Sequence, residues 1–100
     1  MSVDVTLKVS AKSNPNAVAG ALAAALRERE TSELQAVGAG AINQAIKAVA
    51  IARSYLRSAH LDLVCMPSFV VVAIGESERT AISLLVERRK LNERTTNVEN

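Results

Sequence analysis

The sequence predicts one α/β domain of the α+β type, in which four strands form a mixed sheet and two helices cover one face of it. Three patterns carry this prediction: alternating apolar residues near the start of the chain, two long segments with apolar residues at helical spacing, and two apolar runs joined by a glycine turn near the end. Their order is β-α-β-α-β-β, and right-handed crossovers place both helices on the same face. A chain of 100 residues has room for a single core.

The first half of the chain reads as two strand-helix units. Odd positions are apolar over residues 3–11, which indicates a strand with one buried face. The Ser13-Asn14-Pro15 sequence is typical of a helix start, and it predicts a helix over residues 15–29. A short apolar segment that ends in glycine predicts the second strand over residues 33–38, and the second helix follows over residues 39–58.

The second half reads as a hairpin. A run at 61–66 predicts a strand, and Pro67 is expected to interrupt its hydrogen-bond ladder, so that residues 69–74 continue it after a bend or bulge. Residues 75–79 form the hairpin connection and residues 80–87 the last strand. We therefore expect one domain over residues 1–88 and a polar, disordered tail over residues 89–100.

Composition excludes some classes of protein and leaves others open. The chain is 49% hydrophobic with 12 Lys and Arg against 10 Asp and Glu, and a net charge of +2 decides little about partners. The single Cys65 cannot form an internal disulfide, and the first residues do not resemble a secretion signal. Polar residues interrupt the longest apolar stretch, so no membrane contact is expected. These features predict a cytoplasmic protein.

Four blocks of the chain resemble the stage V sporulation protein S family. They lie at residues 7–29 (LKVSAKSNPNAVAGALAAALRER), 35–53 (QAVGAGAINQAIKAVAIAR), 62–69 (DLVCMPSF) and 78–87 (ERTAISLLVE), in order and with compatible spacing. The resemblance implies an Alba-like fold, a regulatory part in bacterial sporulation or related development, and nucleic-acid binding.

The resemblance also implies where nucleic acid would bind. Alba-like proteins are dimers that contact DNA or RNA with basic residues in the loop after the first strand and in the hairpin arm. Lys12, with Ser13 and Asn14 beside it, matches the first position, and Arg79 matches the second. Archaeal chromatin relatives carry arginines between the second strand and the second helix, where this chain has glycines. We therefore expect weaker binding than that of a chromatin protein.

The turn between the second strand and the second helix admits three interpretations. Gly38, Gly40 and Asn43 partly imitate a dinucleotide fingerprint, but the third glycine is absent, which argues against that reading. The turn is also compatible with an anion site, since a helix start presents unpaired amides. The simplest interpretation is a tight strand-to-helix turn.

Catalysis is not expected. The chain has one His60 and one Cys65, and it offers no paired carboxylates from which a proton-transfer or metal site could be assembled. We predict no enzyme activity, no metal site and no cofactor.

The second helix carries two apolar stripes. One, formed by Ile42, Ala45, Ile46, Val49 and Leu56, is expected to face the sheet. The other predicts a homo-oligomer interface, dimeric or higher, at Gln44, Ala48, Ile51 and Tyr55. Arg53 lies close to the first stripe, which predicts a structural ion pair.

Two functional hypotheses remain open. The first is a non-enzymatic regulator that binds DNA or RNA through Lys12 and the hairpin arm. The second is an adaptor that binds a regulatory protein and no nucleic acid. The salt dependence of binding distinguishes the two hypotheses. Counterion release makes nucleic-acid affinity fall steeply with ionic strength, whereas the affinity of an apolar protein interface changes little.

Overall fold

A computed structural model of the protein describes residues 5–91. The elements are, in order, β1 (Thr6–Val9), α1 (Pro15–Glu28), β2 (Thr31–Ala36), α2 (Ala39–Leu56), a 3-10 turn (Arg57–Ala59), β3 (Leu61–Ile74) and β4 (Ser77–Lys90). The strand order in the sheet is β1-β2-β4-β3, with β1 parallel to β2 and the other neighbours antiparallel. The predicted element order and mixed sheet are confirmed, and they agree with an Alba-like fold.

The first strand is shorter than the alternation of apolar residues predicted. The strand predicted at residues 3–11 is β1, which ends at Val9 because the next residues form a tight turn. In that turn the Ser13 amide donates to the Ser10 carbonyl at 3.0 Å. Residues 1–4 lie outside the described part of the chain. The helix start was predicted correctly, since α1 begins at Pro15 and Asn14 caps it.

The core lies between the two helices and one face of the sheet. β2 shows the alternation most clearly, because Ser32, Leu34 and Ala36 are buried and the residues between them are half-buried. The buried Ser32 hydroxyl donates to the Val5 carbonyl at 3.0 Å, so its polar group is satisfied. The two helices contribute the other half of the core, with Ala19, Leu22, Ala23, Leu26, Ala41, Ala45, Ala48, Ala52 and Leu56. Small side chains on both helices allow a close approach.

Pro67 does not interrupt β3, and the expected bend or bulge was wrong. The pairing with β4 runs without a slip from Leu61↔Lys90 to Ile74↔Ser77, with Pro67 opposite Leu84. A two-residue turn closes the hairpin, so Ile74 and every second residue before it direct their amides toward β4. Pro67 falls on the alternate set, whose amides point away from the sheet. Its missing N–H therefore costs no bond within the hairpin.

β4 extends further at both ends than the predicted residues 80–87. Only its residues 82–87 pair with β2, so residues 70–81 form a two-stranded hairpin arm that projects beyond the sheet. At the other end Arg89 and Lys90 pair with β3, although both were assigned to the tail. Arg88 donates to the Leu26 carbonyl at 3.0 Å and fixes β4 to the end of α1. Residues 92–100 of the predicted tail lie outside the described residues.

The stripe of α2 that was expected to face the sheet is only partly correct. Ala45, Val49 and Leu56 are buried and Ile42 is half-buried, but 48% of Ile46 is exposed. Neither helix within residues 5–91 has the length and hydropathy that crossing a membrane requires.

Candidate nucleic-acid interface

The β1–α1 loop holds Lys12 on a short, internally bonded turn. The Ser10 amide donates to the Ser13 hydroxyl at 2.9 Å, and the Lys12 amide donates to the Ser10 hydroxyl at 3.2 Å. Lys12 itself is exposed, and its ammonium has no acceptor among the described residues 5–91. The backbone under this lysine is thus fixed while its charge remains available to a partner.

The Asn16 and Ala17 amides at the start of α1, close to Lys12 in the chain, are not free, because Asn14 caps the helix. The Asn14 carboxamide oxygen accepts from the Asn16 amide at 2.8 Å and from the Ala17 amide at 3.4 Å. An anion at this helix start would have to displace the Asn14 side chain, because a cap occupies the same donors. In this loop the Lys12 side chain is exposed, whereas the Asn14 side chain caps α1.

The β2–α2 turn lies directly against the β1–α1 loop. A Cβ on Gly40 would come 2.9 Å from the Ala11 Cβ, and the Gln44 side chain donates to the Ser13 carbonyl at 2.9 Å. Gly38, with φ of 91°, makes the turn and offers no side chain to cap α2. The first amides of α2 are therefore uncapped. Asn43 is exposed on the same first turns of the helix.

Arg79 lies on the hairpin arm, opposite Val72 of β3. Arg79 lies on the face of the sheet that the helices leave uncovered. The buried Ala36 of β2 pairs with Ile82 of β4, and residues of β4 at odd positions, such as Arg79, point to the opposite face. Lys8 of β1 lies on that same face, and sequence reasoning missed it because it looked like an ordinary polar position in an alternating strand. A small open cavity of about 130 Å³ separates this part of β1 from the arm; it is lined by Lys8, Val9, Gln35, Val37, Val72, Ala73 and Ile74.

A polar network crosses the uncovered face beside this cavity. The Glu33 carboxylate accepts from the Thr6 hydroxyl at 3.1 Å, from the Gln35 amide at 3.2 Å and from the Ser83 hydroxyl. The bond from Ser83 is the largest of the effects that lower the pKa of Glu33 below its usual value. Glu33 therefore stays ionised and joins three strands, and it adds negative charge between Lys8 and the centre of the sheet.

Of the four residues predicted as an oligomer interface, Gln44, Ala48 and Ile51 are buried or half-buried, and Tyr55 is exposed. Ala48 has no exposed surface, Ile51 packs against the core and Gln44 is bonded to the β1–α1 loop. Tyr55, which is 41% exposed, has a backbone carbonyl that accepts from Arg27 near the end of α1. This stripe therefore belongs mainly to the contact between the two helices, and Ala48 cannot contact another chain in this fold.

The ion pair predicted for Arg53 is confirmed. Its guanidinium makes two bonds to the Asp62 carboxylate, at 2.7 and 3.1 Å, and so links α2 to the edge of β3. The bond from Arg53 is the main cause of the lowered pKa of Asp62.

The comparison with known families decides the relationship. The family model of stage V sporulation protein S matches residues 5–89, which include both loops, the hairpin arm, both helices and all the described strands except the last residue of β4. The chain belongs to the stage V sporulation protein S family. Membership gives it a role related to sporulation, in a family of regulatory proteins that is not known as an enzyme family.

Proposed function

We propose that this member of the stage V sporulation protein S family is a non-enzymatic regulator that binds the phosphate backbone of DNA or RNA as a dimer or higher oligomer. The observation that supports this most is that the loop carrying the exposed Lys12 packs against the uncapped start of α2 through its neighbouring residue Ala11. A cation and a set of unpaired amides in one place form the usual protein environment for phosphate.

Two further cations extend the proposed contact. Lys8 and Arg79 lie on the uncovered face of the sheet, and Lys8 lines the cavity whose opposite wall is the hairpin arm. Three cations on the β1–α1 loop, on β1 and on the arm could bind successive phosphates, each binding event releasing counterions. Glu33 limits the charge of this face, which is consistent with modest affinity.

The proposed contact recognises backbone and shape. The chain has two aromatic residues: Tyr55 lies at the end of α2 far from the β1–α1 loop, and Phe69 lies on β3 at the other edge of the sheet. A stacking platform for unpaired bases is therefore not expected at this site. Double-stranded DNA and double-stranded RNA should bind with similar affinity if only phosphates are contacted.

A titration at two salt concentrations tests this function. We expect binding of a short labelled duplex, followed by fluorescence anisotropy, to weaken between about 50 mM and about 200 mM salt by roughly 10- to 50-fold for each copy of the chain that makes two or three phosphate contacts. No binding at the lower salt concentration would overturn the proposal.

A specific observation also favours the second candidate, an adaptor for a regulatory protein. Phe69 and Val71 of β3 are large apolar residues on one face of the strand, exposed by 79% and 66%. An apolar surface of this kind is typical of a protein contact. Capture of a protein partner with an affinity that salt hardly changes, together with no duplex binding, would favour the adaptor.

A further inference from the structure

The open cavity at the end of β1 brings a cation, an amide and an apolar wall together. Lys8 and Gln35 line one side of it, and Val72 and Ile74 of the hairpin arm line the other. Its volume is about 130 Å³, and five of its seven lining residues are apolar. We call it the arm cavity.

The polar side of the arm cavity presents a cation and a hydrogen-bond acceptor. Lys8 and Gln35 are paired across β1 and β2, so their side chains are neighbours on one face of the sheet. The Lys8 ammonium has no acceptor among residues 5–91, and no described residue donates to the Gln35 carbonyl oxygen. The Gln35 amide nitrogen donates to the Glu33 carboxylate at 3.2 Å, which orients the Gln35 side chain. Both Lys8 and Gln35 therefore have a polar group available to a ligand.

The apolar side of the arm cavity belongs to a closely packed surface at the base of the arm. Ala81 lies on the same face of the sheet as Val72, and it is only 3% exposed although no helix covers this face. Its neighbours therefore enclose it, and this end of the face is concave. A cavity of about 150 Å³ accommodates benzene, so the arm cavity accommodates an apolar group of roughly three to five carbons.

We propose that the arm cavity binds an α-amino acid with a small branched apolar side chain, such as valine. The carboxylate of the ligand pairs with Lys8, its ammonium donates to the Gln35 carbonyl oxygen, and its side chain packs against Val72 and Ile74. Each part of the ligand thus meets a lining residue of matching chemistry. The Glu33 carboxylate, which is bonded to Gln35, adds negative charge on the side of the ammonium.

Ligands that lack one of these groups fit the arm cavity less well. A carboxylate without an ammonium pairs with Lys8, but it places an anion beside the Gln35 oxygen. An amine without a carboxylate leaves Lys8 unpaired and adds a second cation next to it. Inorganic phosphate has no apolar part to contact Val72, and an apolar wall removes some of its hydration without replacing it. The amino acid has none of these disadvantages.

The size and openness of the arm cavity determine the expected affinity and selectivity. Few polar contacts and an open mouth predict a dissociation constant in the millimolar range for valine. Alanine lacks the branched carbons and should bind at least about fivefold more weakly than valine. The seven-carbon side chain of phenylalanine exceeds the volume of the cavity, so phenylalanine should not bind there.

The arm cavity is linked to the proposed nucleic-acid contact through Lys8, which belongs to both. This link rests on the proposed function. An amino acid on Lys8 neutralises one of the three cations, so duplex affinity should fall when the cavity is occupied, and a bound duplex should weaken amino-acid binding by the same factor. The chain would then bind nucleic acid more tightly when the amino acid is scarce.

Titration of the ¹⁵N-labelled chain without nucleic acid, followed by NMR, tests the ligand. Valine should shift the amide resonances of Lys8, Gln35 and Val72, with saturation at tens of millimolar. Isovalerate is valine without the ammonium and isobutylamine is valine without the carboxylate, so each should bind at least about fivefold more weakly. No saturable shift with valine up to about 100 mM, or equal binding of the three compounds, would overturn the proposal.

Two matched pairs of variants locate the site. Lys8→Met should weaken valine binding at least about tenfold, whereas Lys12→Met should leave it unchanged because Lys12 does not line the cavity. Val72→Phe should fill the cavity and abolish binding, whereas Val64→Phe, on the same face near the other end of β3, should have little effect. Equal losses in Lys8→Met and Lys12→Met, or valine binding that survives Val72→Phe, would contradict the site. Lys8 is exposed and has no acceptor among residues 5–91, so the first pair remains decisive even if Val72→Phe does not fold.

Fluorescence anisotropy of a labelled duplex, with and without saturating valine, tests the link to nucleic acid. Valine should reduce the salt slope of the parent protein by about one unit per copy bound and should not change duplex binding by Lys8→Met. A parent protein that binds valine but no duplex would overturn the proposed function and leave the arm cavity standing. A parent protein that binds the duplex but not valine would overturn the arm cavity alone.

Discussion

Gly40 of α2 and Ala11 of the β1–α1 loop are in such close contact that a Cβ on Gly40 would come 2.9 Å from the Ala11 Cβ. The contact joins the two loops that form the candidate interface. Neither partner can yield by rotating a side chain, since both atoms are fixed to the backbone. The absence of a side chain at residue 40 is therefore what lets the two loops lie together.

The first prediction concerns this contact. Gly40→Ala should destabilise the fold by about 1–2 kcal/mol, because the cost of overpacking exceeds the gain in helix propensity. Ala11→Gly in the same chain should remove the clash and recover most of the loss, as measured by urea denaturation. Gly20→Ala is the matched control: Gly20 lies in α1 with nothing within 4 Å of an added Cβ, so this change should be stabilising. Equal effects at both glycines would contradict the argument.

The second prediction concerns Gly38, which has φ of 91° and ψ of 160° at the start of α2. A residue with a Cβ is strained in this conformation even though no neighbour lies within 4 Å of that position. Gly38→Ala should cost about 1–3 kcal/mol in the free energy of unfolding. Calorimetry should show a lower melting temperature than that of Gly20→Ala, and an unchanged melting temperature would mean that the turn tolerates another conformation.

The third prediction is that the ion pair between Asp62 and Arg53 makes the free energy of unfolding depend on pH. The pKa of Asp62 in the folded state is lowered from its ordinary value of 3.8. The ion pair therefore contributes its full stabilisation of the fold above pH 3.8, and this stabilisation is lost as the pH falls through the folded-state pKa. Asp62→Asn should lower the free energy of unfolding by at most about 1 kcal/mol, since the Arg53 side chain is 45% exposed. The difference from the parent protein should stay constant from about pH 7 to about pH 5 and shrink below pH 3.8.

Glu87→Gln is the control for that measurement. The Glu87 carboxylate meets Arg89 through a single 3.3 Å contact, with the Arg89 side chain 60% exposed. Its removal should change the unfolding free energy very little at any pH. If Asp62→Asn gave the same flat profile, the pair with Arg53 would have no net effect on stability.

Local signals in the sequence predicted the order of elements well. Asn14 and Pro15 begin α1 because a cap and a fixed φ act within a few residues. The role of Pro67 could not be predicted in the same way, since its effect depends on which set of amides faces β4. The number of residues between Pro67 and the hairpin turn decides whether the position of Pro67 faces β4 or faces away from it.

The two stripes of α2 show a different limit. Helical spacing identifies Ala48 and Ile46 as apolar positions, but it does not say which element covers each one. In the structure Ala48 is fully buried in the core, whereas Ile46 is 48% exposed. The position of Lys8 in a cavity could not be predicted for a related reason, because the other wall of this cavity is an arm more than 60 residues away in the chain.

The last prediction separates the Lys12 charge from the general charge of the protein. Lys12→Glu should weaken duplex DNA and duplex RNA by similar factors, because it removes one phosphate contact and adds repulsion while phosphates carry no sequence information. Lys12→Ala should reduce the slope of log affinity against log salt by about one unit per copy bound. Lys90→Glu makes the same change in net charge at the far end of the sheet, where Lys90 pairs with Leu61.

Fluorescence anisotropy with one short duplex at several salt concentrations compares the parent and the three variants. The Lys12 ammonium has no acceptor among residues 5–91, so its replacement should leave the melting temperature unchanged and any loss of affinity belongs to the contact itself. We expect a clear loss for Lys12→Glu and a small one for Lys90→Glu. Equal losses would show that net charge alone governs binding, and the β1–α1 loop would then have no specific part in it.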